Sequence, residues 1–129
     1  MVEFAVVLPM LMFLLLGIVD VSRYAYCGLL ASNAARAAAQ YGAQNMITAD
    51  DITGMQNAAY NDAQGLSGLR ATATPICKVN GVVSPCSSAN AVAYVQVVTT
   101  GLYQPLVSYP GIPSSVTVTA NATIRVEKQ

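Results

Sequence analysis

Residues 4–19 read FAVVLPMLMFLLLGIV, sixteen positions without a charge, held between Glu3 and Asp20. The run is shorter than the ~18–20 residues of a full membrane span, yet far more apolar than the core helix of a soluble domain. As an α-helix it covers about 24 Å at 1.5 Å per residue. No Lys or Arg precedes it and no small-x-small site follows, so it does not read as a secretory signal peptide. Helical character instead continues through DVSRYAYCGLL, residues 20–30. Pro9 removes a backbone donor and presses on the carbonyl of Ala5, which predicts a kink or an opening of the helix there. In lipid such a break is tolerated where neighbours satisfy the freed groups. Glu3, at the tip of the run, has two readings: a charge facing headgroups, or a group that must find a positive partner when buried.

Beyond Asp20 the helical pattern has no convincing stop until about residue 46. Asp20 and Arg23, three apart, share a face and can pair. Residues 31–43, ASNAARAAAQYGA, are more than half Ala. Ala31, Ala35, Ala39 and Ala43 form one ladder of small side chains, and Ala34, Ala38 and Gly42 a second. Such a smooth face suits close approach of another helix or packing under a sheet, and the Ala content gives strong intrinsic helicity. One helix over 2–45 would be about 65 Å long, so half of it must project. Thr48 with Asp51 resembles a capping box. Ile52, Met55, Ala59, Ala63 and Leu66 follow at helical spacing. Together these predict a short amphipathic helix over 49–64, ended by Gly65 and Gly68.

The remainder reads as β-structure. Residues 70–79 and 91–100 are rich in Ala, Thr and Val. Val116, Val118, Ala120, Ala122, Ile124 and Val126 alternate strictly with Thr, Asn, Arg and Glu, the mark of a strand with one buried face. Residues 101–115, with three prolines and a Pro-Gly pair, are expected to form an exposed loop carrying Tyr103 and Tyr109. Cys77 and Cys86 bracket an Asn-Gly hairpin turn. Three cysteines allow three pairings; Cys77–Cys86 is favoured, with Cys27 left as a small buried hydrophobe in the long helix.

Composition narrows the function. The 129 residues suit one domain. Six basic residues balance six acidic ones, so there is no basic field to hold nucleic acid. Only 9% of residues are charged and 54% are hydrophobic, and His is absent, which removes the commonest general base and metal ligand. No metal-ligand spacing or phosphate-binding glycine loop is present, so neither metal nor cofactor is expected. Asp50 and Asp51 are adjacent and would point about 100° apart on a helix; with Asp62 they form no catalytic constellation, and the chain is expected not to be an enzyme. Tyr24, Tyr26 and Tyr41 suit packing. Asn121-Ala-Thr123 matches a short glycosylation sequon in mid-strand.

The opening VEFAVVLPMLMFLLLGIVDVSRYAY, the segment NAARAAAQYGA and the closing VTVTANATIRVE resemble TadE-like proteins, pilin-like subunits of tight-adherence pilus systems. Glu-Phe-Ala followed by Pro9 and the apolar run is the most specific part. The resemblance implies a type IV pilin-like precursor, an inner-membrane stage, and removal of a leader by a prepilin peptidase. In type IV pilins the acidic residue lies at the fifth mature position; Glu3 is its match, and here only two residues stand before it.

The expected fold is therefore α+β: a long protruding N-terminal helix whose second half packs under an antiparallel sheet of three or four strands. Residues 1–22 would be the membrane segment before assembly and the filament core after it, and residues 23–129 a pilin-like globular domain. The expected function is a structural subunit of an extracellular adhesive filament, a homopolymer reached from the bacterial inner membrane through that system's assembly machinery. Glu3, Phe4, Pro9, Leu14, Leu15, Asp20 and Arg23 are the candidate assembly residues. Ala31, Ala35, Ala39 and Ala43 are the candidate packing residues. The competing expectation is a single-span anchored minor component or surface binding module, with the 101–115 loop as its site.

Overall fold

A Leu- and Met-rich apolar run and the Ala-rich stretch that follows it favour helix throughout the first third of the chain. In the computed structural model, which describes residues 2–107, 111 and 113–127 and only the backbone of Val2, Glu3 and Ala5, they form one helix, α1, over Val2–Ala43. Its length is about 63 Å. Pro9 lies inside α1 and the residues on either side stay helical, so of the expected kink or opening the helix does not open there. The missing N–H removes one bond from a long ladder, and the rest of the ladder holds the segment.

The single helix expected over 49–64 is two. Helix α2 spans Met46–Asp50 and α3 spans Ile52–Asp62. The capping box is Asn45 with Thr48, one pair earlier than Thr48 with Asp51: the Thr48 N–H donates to Asn45 Oδ1 at 2.9 Å and the Asn45 N–H to Thr48 Oγ1 at 3.1 Å. Asp51 caps α3 instead, accepting from the Gly54 N–H at 2.9 Å. Its non-helical ψ of 76° separates the two helices.

Four antiparallel strands follow: β1 (Arg70–Val79), β2 (Val82–Ser84), β3 (Val92–Tyr103) and β4 (Val116–Arg125), in the order β2-β1-β3-β4. Asn80 and Gly81 take φ of 50° and 85° at the β1–β2 turn, the left-handed pair that an Asn-Gly hairpin supplies. Alternation sets one face of the sheet inward. Val95, Val97, Thr99 and Tyr103 of β3 lie buried beside Ala71 and Ala73 of β1 and Val118 of β4. The second half of α1 packs beneath them, with Ala31, Ala34, Ala35, Ala38 and Ala39 fully buried. Within this chain α1 contacts both the sheet and α3. At Gly42 an added methyl would collide with Met55 Sδ and stand 3.1 Å from Val95 Cγ1. Buried Thr99 donates its hydroxyl to the Ala31 carbonyl at 2.7 Å, fastening β3 to α1.

Candidate functional site

The leading half of α1 remains outside this core. Phe4 is 80% exposed, and Met10, Phe13, Leu14, Leu15, Ile18 and Val21 also face outward. Among the described residues α1 is the one helix long and apolar enough to cross a membrane. Its surface is the chemically anomalous feature of the molecule, since monomeric soluble proteins rarely expose apolar patches beyond a few hundred Å².

A polar clasp marks where the exposed half ends. Asp20 is buried; its Oδ1 accepts from the Tyr103 hydroxyl at 2.9 Å and from the Leu106 N–H at 3.0 Å. The same hydroxyl stands 2.9 Å from the Asp20 carbonyl. Arg23 lies 3.5 Å from Asp20 Oδ1, the pairing expected from their spacing, and its guanidinium sits 5.8 Å from the centre of the Tyr103 ring. Tyr24 packs edge-on to that ring, centroids 5.5 Å apart. Burial raises the Tyr103 pKa above its ordinary value, and the Asp20 carboxylate raises it further. The clasp borders a cleft of about 280 Å³ lined by Gly17, Asp20, Val21, Tyr24, Tyr103, Pro105 and Val116. The exposed helix therefore runs directly into the domain.

Tyr103 was expected on an exposed loop; the structure corrects this, because β3 runs on to Tyr103 and turns the ring inward. The signal was present in the sequence. Val95, Val97, Thr99 and Gly101 alternate inward, and continuing that period by two residues reaches Tyr103. Tyr109 lies outside the described residues, as does the side chain of Glu3. Phe4, Pro9, Leu14 and Leu15 are exposed on α1, and Asp20 and Arg23 form its base. Ala31, Ala35, Ala39 and Ala43 are buried in the domain.

At the far end of the domain, Cys77 and Cys86 are bridged, with Cα atoms 5.1 Å apart; Cys27, on α1 near the clasp, is free and half-buried. Tyr41 donates its hydroxyl to Asp51 Oδ2 at 2.9 Å. That bond raises the Tyr41 pKa, while the Gly54 N–H and the Tyr41 hydroxyl lower that of Asp51. Asp50 and Asp62 are exposed, as is Asn121 on the outward face of β4.

These features define a class: an α+β domain carried on a helix whose leading half is apolar and exposed. The model of the TadE-like protein family matches residues 1–40, nearly all of α1. No curated protein and no solved structure matches the chain. Over that stretch, about a third of the chain, the sequence is similar to TadE-like proteins, and the same stretch holds the helix long and apolar enough to cross a membrane.

Proposed function

We propose that this chain is a structural subunit of a tight-adherence pilus, held in the inner membrane by the leading half of α1 and then polymerised through it into an extracellular adhesive filament. The exposed apolar half-helix, continuous with a helix clamped beneath the sheet, is the observation that carries the reading. Such a surface has two stable surroundings, lipid or copies of itself. Withdrawing it from water is worth tens of kcal/mol at about 25 cal/mol per Å², but lipid already supplies most of that. Packing and polar pairing must therefore set the register of the polymer. Glu3, pairing with the amino terminus of a neighbour, is the group assigned to that task. Processing by a prepilin peptidase belongs to the same reading.

The second reading, a single-span minor component or binding module outside the main filament, draws support from the length and apolarity of α1. Shearing cells that express the chain, then pelleting and imaging the released material, separates the two. Filaments built mainly of this chain support the first reading, and a chain that stays with the membrane as a monomer overturns it. Within the first reading, Glu3→Ala is expected to abolish filaments seen by electron microscopy.

A further inference from the structure

The charges of the domain are sorted by layer. On the outward face of the sheet, β1 contributes Arg70 and Lys78 and β4 contributes Arg125, while no strand carries Asp or Glu. Lys78 and Arg125 gather at one end around Tyr94: Arg125 is its cross-strand partner and Lys78 Nζ stands 5.3 Å from its ring. Arg70 lies at the other end, about 26 Å away along β1 at 3.3 Å per residue. Between them the face is uncharged, with Thr72, Thr74, Gln96, Thr100, Thr119, Asn121 and Thr123 in cross-strand rows around Ile76 and Val98.

The helical layer beneath carries Asp50, Asp51 and Asp62. The exposed cations of the helices among the described residues are Arg23, which pairs with buried Asp20, and Arg36; Glu127, two residues past Arg125, is the described carboxylate that follows the sheet. Even so, the helical layer stays net negative and the sheet face net positive. The levels also match. Asp50 shares a cleft with Cys77, next to Lys78, at the end occupied by Tyr94. Asp62 ends α3 just before Leu66, whose side chain closes on Gly101 near the Arg70 end.

We infer that successive subunits dock side by side through these two surfaces, the acidic α2–α3 layer of one copy against the cationic outer face of the sheet of the next. Because opposite charges sit at corresponding levels, a copy displaced without rotation sets Asp50 near Lys78 and Arg125, and Asp62 near Arg70. Every α1 then points the same way. The two surfaces lie on different faces, so the contact is heterologous and propagates rather than closing as a two-fold dimer. Individual exposed ion pairs contribute little; their complementarity selects orientation and speeds encounter. The inference rests on the filament reading and adds a second, salt-sensitive contact outside the apolar bundle.

The test is a charge exchange in full-length chains expressed with the assembly machinery. One variant carries Arg70→Glu, Lys78→Glu and Arg125→Glu; the other carries Asp50→Lys and Asp62→Lys. Each expressed by itself is expected to lose at least tenfold in sheared, pelletable filament. Co-expression is expected to restore filaments in which both variants alternate, since each then meets an opposite surface on both sides. Either variant assembling normally by itself, or no recovery on co-expression while both keep the wild-type circular dichroism and melting temperature, overturns the inference. Where a variant fails to fold, wild-type filaments decide: release of subunits must rise with salt, and salt-independent filaments overturn the inference. A sheet face that binds polyglutamate without releasing subunits would mark an acidic-polymer site and overturn it as well. A wild-type chain that never polymerises is a failure of the filament reading itself.

Discussion

Asp20 is the first carboxylate after the apolar run, and it is used as an anchor point. A buried carboxylate is tolerable where donors surround it, and Tyr103 and Leu106 supply them. Asp20→Ala leaves those donors without their acceptor, so a loss of about 1.5–3 kcal/mol is expected, read from urea unfolding; an unchanged midpoint would remove the clasp from the account. The titrating groups set opposite pH limits. Tyr103 and Tyr41 have folded-state pKa values above the ordinary 10.0. Their stabilising contribution is complete below that value and is lost as pH rises through the raised one. Asp51 is lowered from 3.8, so its contribution is complete above that value and is lost as pH falls through the lowered one. Tyr103→Phe should flatten the alkaline fall in stability and Asp51→Asn the acid fall. Urea midpoints measured across pH check both, and the opposite assignment would refute the two sets of contacts.

At the scale of elements, α1 contains two kinds of glycine. Gly42 faces Met55 and Val95 at the closest approach of helix to domain, whereas a side chain added at Gly17 meets open space. Gly42→Val is expected to cost about 1–3 kcal/mol by overpacking. Gly17→Ala should instead stabilise the folded helix by up to about 1 kcal/mol. Melting temperatures that fall equally for both would contradict the division of α1 into a packed and an unpacked half. Asn45 gives a third measure at this scale, since Asn45→Ala removes the α2 cap and should cost about 1 kcal/mol. Reducing Cys77–Cys86 reopens a ten-residue stretch, worth about 2.7 kcal/mol in the loop-entropy treatment; thermal unfolding with and without reductant measures it.

At the scale of the whole molecule, burial among the described residues begins at Asp20 and the core at Ala31, and both end at Val126. The exposed leading half of α1 contributes nothing to that core, so a chain starting near residue 17 should fold as a soluble monomer. Size-exclusion chromatography and circular dichroism check this, and an unfolded product would mean that the first turns stabilise the domain. The same division would let one chain serve the two surroundings of the proposed function in succession, since the folded domain does not depend on what covers the projecting helix.

Local pattern determined much of this protein. Uninterrupted apolarity followed by alanine specified a helix too long for its own domain, strict alternation over 116–126 specified β4, and Asn80-Gly81 specified the hairpin that brings Cys77 to Cys86. These are features of short sequence separation, where each residue's conformational preference and the solvent decide the outcome. The boundary at Asp51 depended on whether its side chain reached Gly54 or served as the third residue of an earlier cap, and Tyr103 on how far β3 continued. The clasp joins residues 83 apart, and the charged layers arise from residues scattered along the chain. Only the tertiary structure could decide these, because their geometry exists once the packed alanine face of α1 has fixed where the sheet lies.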